Sequence, residues 1–110
     1  MKALAIGAHP DDIEFGAGAT LAKWASNGCE VSLLICTDGS KGSWDPSVST
    51  EDLKAVRKME QRAAADELGV SGEVIFLDFV DGELNAGLKE RETVASWIRR
   101  LQPDVVLGHD

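Results

Sequence analysis

A histidine and two aspartates follow a short apolar run near the start of the chain. Residues 8–12 read Ala-His-Pro-Asp-Asp, directly behind Ala-Leu-Ala-Ile at residues 3–6. His9 and Asp12 are three residues apart on a tight turn, and an imidazole nitrogen together with a carboxylate oxygen suits zinc or another first-row divalent metal. Asp11 lies between them and has the chemistry of a general base beside a metal-bound water. The turn therefore predicts a metal site that activates water.

Two other interpretations of this turn stay open. Aspartate is a favoured N-cap residue, so the His9 turn could simply cap a helix, although a cap does not explain two adjacent aspartates after His-Pro. Gly7, Gly16 and Gly18 also suggest a phosphate-binding dinucleotide fold. That fingerprint places glycines at the first, third and sixth positions of the turn, so that backbone amides meet the phosphates. Here carboxylates fill the turn and would repel phosphate unless a metal intervened.

The overall composition is that of one small, acidic, globular domain. The 110 residues include 19 acidic and 11 basic side chains, for a net charge of −8. This acidity argues against nucleic acid or an anionic membrane as the main partner. No stretch approaches the roughly 20 apolar residues of a membrane span, and the first residues lack a signal-peptide pattern. Cys29 and Cys36 are too few for a disulfide framework, which favours reduced thiols and a cytoplasmic protein.

Apolar periodicity predicts strands and helices in strict alternation. Buried-type strands are expected because their apolar runs are nearly continuous, whereas the helices show apolar stripes with helical spacing. The predicted strands cover residues 3–7, 31–36, 74–77 and 105–108, and the predicted helices cover residues 17–27, 49–68 and 90–101. This order predicts an α/β fold with a parallel sheet that is covered on both faces. Ligands of such sheets bind beyond the carboxyl ends of the strands, where residues 7–15, 37–48 and 78–88 should meet.

The predicted elements leave one face of the sheet incompletely covered. Four strands with only three covering helices would leave apolar surface open on one face of the sheet. We expect residues 1–110 to be the N-terminal part of a single, longer domain. The alternative is a homo-oligomer in which a second copy covers that surface.

Four segments spread along the chain match the pattern of one known family. They are Ala-His-Pro-Asp-Asp at residues 8–12 before a glycine-rich helix start, Thr-Asp-Gly-Ser-Lys-Gly at residues 37–42, Arg-x-x-Glu followed by Ala-Ala and Leu-Gly-Val within residues 57–70, and Phe-Leu-Asp-Phe-Val-Asp-Gly at residues 76–82. Together they resemble the PIG-L/LmbE-like family of metal-dependent N-acetylglucosamine deacetylases. The likeness extends over all 110 residues.

The resemblance implies a fold, an activity and a set of site residues. The fold would be a Rossmann-like three-layer sandwich with a mainly parallel sheet, and the activity a zinc-dependent deacetylation of a small N-acetylated amino-sugar conjugate. His9 and Asp12 would be metal ligands, and Asp11 would be the base that takes a proton from the metal-bound water. Arg57 and Asp81 would hold the sugar hydroxyls. A tetrahedral intermediate would form on the acetamide carbonyl, with its oxyanion stabilised by the metal.

Plainer roles remain open for several of these residues. Arg57 and Glu60 form an ordinary i, i+3 pair on a helix face. Asp81 begins an Asp-Gly dipeptide of the kind common in turns. Trp44 lies in the polar loop after the second strand, where it could stack on a sugar or simply close the loop.

The chain departs from the family pattern at two places. Ser40 stands where the family's T-x-G-x-x-G loop often has a glutamate, which leaves a substrate contact in doubt. The family's third metal ligand comes from an H-x-D-H segment after the fourth strand, and His109 lies near that place without belonging to the motif. With two protein ligands, we expect these 110 residues to bind metal weakly and to be inactive alone. A non-catalytic sugar- or nucleotide-binding module is the alternative function.

Overall fold

Strand and helix alternate along the chain in this computed structural model, which describes residues 1–9, 12–38, 49–79 and 87–108. The elements, in chain order, are β1 (Lys2–Gly7), α1 (Asp12–Ser26), β2 (Glu30–Thr37), α2 (Thr50–Leu68), β3 (Val74–Phe79), α3 (Leu88–Leu101) and β4 (Val105–Leu107). All the elements predicted from the sequence are present. No helix in these ranges is both long enough and apolar enough to cross a membrane.

The four strands form one parallel sheet in the order β3-β2-β1-β4. Strands β1 and β2 are therefore central, and β3 and β4 lie at the edges. From Val31 to Thr37, every residue of β2 is buried, as expected for a parallel strand with helices over both faces. The predicted α/β class and parallel sheet are confirmed.

Helices cover both faces of the sheet. On one face, α1 and α2 bury Leu21 and Ala65 against β2 residues that include Val31 and Leu33. On the other face, α3 packs its apolar stripe on Leu4, Leu34 and Ile75; the stripe consists of Val94, Trp97, Ile98 and Leu101. This stripe is the one that the periodicity of the sequence predicts.

Both ends of α2 are capped. The Ser49 hydroxyl accepts a hydrogen bond of 3.4 Å from the backbone N–H of Asp52. Gly69 ends the helix with a left-handed φ of 81°, a conformation that glycine adopts without a Cβ penalty. These local signals set where α2 begins and ends.

Helix α1 begins five residues earlier than its apolar stripe predicts, at Asp12 and not at Ala17. Gly16 and Gly18 weaken the helix signal, because glycine costs roughly 0.8–1.0 kcal/mol relative to alanine inside a helix. Hydrogen bonds between His9 and Asp12 outweigh this preference, as described below. The first turn of α1 and the candidate metal-binding turn are consequently the same structure.

Candidate active site

The carboxyl ends of β1, β2 and β3 lie side by side at one edge of the sheet. The backbone N–H of Thr37 donates to the carbonyl of Ala8 at 2.8 Å, and that of Asp38 donates to the carbonyl of Phe79 at 2.9 Å. These bonds continue the strand ladders into the loops. His9, Asp38 and Phe79 thus follow three neighbouring strands at the predicted ligand-binding edge.

His9 and Asp12 are held together by reciprocal hydrogen bonds. The backbone N–H of His9 donates to Asp12 Oδ2 at 2.8 Å, and the backbone N–H of Asp12 donates to the His9 carbonyl at 3.3 Å. In the first bond a side-chain carboxylate reaches back to the backbone N–H three residues earlier, as the acidic side chain of a capping box does. The sequence-based alternatives, a helix cap and a ligand pair, are therefore compatible in this turn.

The same pair has the spacing of two ligands of one metal ion. His9 Nδ1 and Asp12 Oδ2 are 3.3 Å apart, and their side chains are 49% and 34% exposed. Charge-assisted N–H···O bonds are shorter, at about 2.7–2.9 Å. Two ligands of a tetrahedral zinc ion, with bonds of about 2.0–2.2 Å, are separated by about 3.3 Å. The donor types and their spacing fit zinc. The partial exposure of both side chains leaves such an ion accessible to solvent.

Two ligands are fewer than a zinc centre uses. Within residues 1–9, 12–38, 49–79 and 87–108, no group of three or more histidine, cysteine, aspartate or glutamate side chains could hold a metal ion. Catalytic zinc sites have three protein ligands. The turn accordingly accounts for part of a site.

Of the remaining predicted site residues, the structure describes Arg57 and neither of the two aspartates. Arg57 lies on α2, where its guanidinium contacts Glu60 Oε2 at 3.0 Å, so the helix-face pair is present. Asp11 and Asp81 lie outside the described residues. The same holds for Ser40, Trp44, Gly82 and His109.

An ion pair between a buried aspartate and a partly exposed lysine at the same edge was not predicted from the sequence. The Asp38 side chain is 2% exposed and lies 3.3 Å from Lys54 Nζ, which also contacts Glu51 Oε1 at 3.2 Å. Hydrogen bonds to Glu51 and then to Asp38 raise the pKa of the Lys54 ammonium above its ordinary value of 10.5. A buried carboxylate requires such a partner. The one signal in the sequence was the place of Asp38 directly after β2.

Two other buried groups border this edge. The hydroxyl of Thr37, a residue only 2% exposed, has no hydrogen-bond partner within the described ranges. Burial raises the pKa of the Cys36 thiol, which disfavours the reactive thiolate. Cys29 and Cys36 are both free.

Comparison with known proteins identifies the family. Residues 4–110 match the family profile described as PIG-L, GlcNAc-PI de-N-acetylase. The chain belongs to the PIG-L family. This confirms the resemblance seen in the motifs, and the Rossmann-like fold that it implied is the one that the structure shows.

Several characterised PIG-L relatives are similar to this chain. The diacetylchitobiose deacetylase of Thermococcus kodakarensis is 38% identical over 109 residues, which are 99% of this chain and 40% of the relative. The crystal structure of the N,N′-diacetylchitobiose deacetylase of Pyrococcus horikoshii superposes with a TM-score of 0.92 at 37% identity, covering 96% of this chain and 39% of that one. This chain therefore spans about two fifths of the length of these relatives.

The PIG-L fold also occurs in an enzyme of another class. The 4-carboxy-2-hydroxymuconate hydratase GalB of Pseudomonas putida KT2440 superposes with a TM-score of 0.87 at 29% identity, covering 98% of this chain and 46% of that one. A shared fold thus does not fix the reaction.

Proposed function

We propose that this protein is a metal-dependent hydrolase that removes the acetyl group from an N-acetylglucosamine-type conjugate. The observation that carries the proposal is the His9–Asp12 pair, whose 3.3 Å spacing at the carboxyl edge of the sheet fits a divalent metal. The similarity to two diacetylchitobiose deacetylases supports the substrate class. Because the chain spans about two fifths of those relatives, we assign it one part of the deacetylase domain.

Each site residue has a chemical task in this proposal. His9 Nδ1 and Asp12 Oδ2 would hold zinc or another first-row divalent ion, which acts as a Lewis acid and lowers the pKa of water. Asp11 would take a proton from the attacking water at its carboxylate oxygen. Arg57 and Asp81 would orient the sugar by hydrogen bonds to its hydroxyls. The water oxygen joins the carbonyl carbon, the C–N bond breaks, and the amine nitrogen gains a proton, so that acetate and a free amino sugar result.

A reducing, cytoplasmic location is part of the same proposal. Cys29 and Cys36 are free and only 7% exposed each. Free buried thiols are typical of proteins kept in a reducing compartment.

Acetate release from N,N′-diacetylchitobiose by the intact protein tests the proposal. We expect acetate and free amine in equal amounts, loss of the activity in a chelator, and its return with zinc. Sugar binding that is indifferent to the chelator, without acetate release, would instead establish a non-catalytic binding module.

A second candidate, hydration of an unsaturated acid, is favoured by the similarity to GalB. The net charge of −8 opposes it, because an acidic surface repels an anionic substrate. Assaying the same preparation with 4-carboxy-2-hydroxymuconate distinguishes the two, since turnover of that compound without acetate release from chitobiose would replace our proposal.

A further inference from the structure

One buried hydroxyl at the carboxyl edge of the sheet lacks a hydrogen-bond partner. Thr37 is 2% exposed, and within residues 1–9, 12–38, 49–79 and 87–108 nothing bonds to its Oγ1. An unsatisfied buried hydroxyl carries the full cost of desolvation, so such groups are rare in folded proteins. Asp38, the next residue along the chain, lies 3.3 Å from Lys54 Nζ. The Thr37 hydroxyl is therefore a donor with no task in holding the described fold together.

The side chain of Thr37 lies on the face of the sheet that α1 and α2 cover. Leu33 and Ile35 of β2 belong to the core under these helices. Side chains two residues apart on a strand point to the same face, so Thr37 continues this row. Its backbone N–H donates to the Ala8 carbonyl, which extends the register in which Gly7 pairs with Ile35. Thr37 is thus one strand across from Gly7 and two residues further along, a Cα separation on the order of 8 Å.

The head of α1 lies over the same part of this face. A Cβ atom at Gly7 would be 3.4 Å from Asp12 Cβ, and Ile13, which follows Asp12, belongs to the core on this face. Asp12 is one of the two proposed metal ligands. A buried hydroxyl donor and a proposed ligand carboxylate consequently lie at neighbouring positions on one face of the sheet.

A hydroxyl beside a ligand carboxylate has a specific use. Carboxylates that bind a metal are themselves held by further hydrogen bonds, and losing such an outer partner typically weakens metal binding by about 10- to 100-fold. A carboxylate only accepts hydrogen bonds, whereas a threonine hydroxyl can donate one. We propose that Thr37 is a positioning residue of the metal-binding turn, and that its hydroxyl donates to the Asp12 carboxylate when that carboxylate holds a metal ion.

The free energy of this hydrogen bond then stabilises the bound metal and not the fold. The inference rests on the metal site of the proposed function, and it adds a residue that none of the proposed steps uses. It also predicts that removing the hydroxyl changes metal affinity without destabilising the protein.

Thr37→Val in the intact protein tests this separation. Valine keeps the branched shape that suits a strand and removes the hydroxyl. Because the hydroxyl has no partner to lose, urea denaturation without added metal should give a midpoint equal to or above that of the unmodified protein. Zinc titration calorimetry should give a dissociation constant about 10- to 100-fold higher. A threonine that only supports the fold would instead lower the urea midpoint.

Two further variants keep the test decisive. Thr37→Ser retains a hydroxyl donor and should bind zinc as the unmodified protein does. Thr93→Val makes the same exchange on α3, over the other face of the sheet, where the hydroxyl donates to the Lys89 carbonyl at 2.8 Å. It should leave the zinc affinity unchanged.

Three results would overturn the inference: unmodified zinc affinity in Thr37→Val, a lowered urea midpoint in Thr37→Val, or weakened zinc binding in Thr37→Ser. Unmodified zinc affinity in Thr37→Val together with zinc-dependent acetate release would refute only the role of Thr37. Absence of zinc binding by the unmodified protein would refute the proposed metal site as well.

Discussion

At the scale of single residues, Asp12 has two roles at the head of α1. Its carboxylate accepts the backbone N–H of His9 at 2.8 Å and also lies 3.3 Å from the His9 imidazole. The first contact fixes the turn, and the second brings two donor types of a zinc site together. The helix start thus holds the two proposed ligands together without a metal.

Replacing Asp11 should separate metal binding from catalysis. In Asp11→Asn of the intact protein, we expect the zinc content to be unchanged and acetate release to fall by about 10²–10⁴-fold, the usual contribution of a general base. Metal analysis and an acetate assay on the same sample provide the two readouts. Asp66→Asn, which makes the same change at an exposed position near the end of α2, is the control and should retain activity; turnover by Asp11→Asn at the unmodified rate would remove Asp11 from the base role.

The Lys54–Asp38 pair predicts a specific dependence of stability on pH. Because hydrogen bonds to Glu51 and Asp38 raise the pKa of Lys54 above 10.5, the pair stabilises the folded state below that pH. The contribution is lost as the pH rises through the raised pKa, where Lys54 becomes neutral. Lys54→Gln should therefore unfold at lower urea concentration than the unmodified chain at pH 7.

The difference in unfolding urea concentration between Lys54→Gln and the unmodified chain should narrow at pH values above 10.5. Urea denaturation of both proteins across this range measures it. Lys23→Gln serves as the reference, with no loss at pH 7. A gap between Lys54→Gln and the unmodified chain that stays constant with pH would show that the charge of Lys54 does not stabilise Asp38.

At the scale of elements, the junction of β1 and α1 positions the ligand pair. A Cβ atom at Gly7 would lie 2.9 Å from Ile13 Cγ1 and 3.4 Å from Asp12 Cβ. Ile13 is only 3% exposed, so it has little space to move. The first turn of α1 can approach the end of β1 this closely because residue 7 has no side chain.

Gly7→Ala should consequently damage both stability and metal binding. We expect a loss of roughly 1–3 kcal/mol in the free energy of unfolding, typical of overpacking in a core, and weaker zinc binding because Asp12 is displaced. Denaturation and zinc titration measure the two effects. The control lies in the same helix: Gly18→Ala meets only Leu68 at 3.9 Å and should stabilise α1 by about 0.5–1 kcal/mol. Equal free energies of unfolding and equal zinc affinities of Gly7→Ala and Gly18→Ala would contradict the steric argument.

At the scale of the whole molecule, the described part of the chain provides a carboxyl edge at which the proposed metal site is incomplete. The chain matches its relatives over about two fifths of their length. The pair of ligands is exposed, and residues 1–9, 12–38, 49–79 and 87–108 contain no cluster of three potential ligands. Tight metal binding then requires a ligand from outside these residues.

Zinc titration of the 110-residue chain tests this count of ligands. We expect a dissociation constant above about 1 μM, because two protein ligands form a poor chelate. Isothermal titration calorimetry of the purified chain provides the measurement, with His9→Ala as the matched control that should bind still more weakly. Submicromolar affinity would refute the two-ligand site and would direct attention to His109 or to a second copy of the chain.

Local patterns in the sequence were sufficient to predict the strands, the helices and the pairing of His9 with Asp12. Apolar periodicity, the Ser49 cap and Gly69 act over a few residues, and the two ligands are only three residues apart. The motifs also identified the family, since they extend along the whole chain.

Tertiary structure decided the ion pairs at the carboxyl edge of the sheet. Lys58 meets Asp78, 20 residues away, where β3 has one more residue than β2, and no local pattern signals this contact. Lys54 likewise finds Asp38 only because α2 packs over the end of β2. Pairing between distant charges follows from how elements dock, and that geometry is set by the buried faces of the sheet and helices rather than by the charged residues themselves.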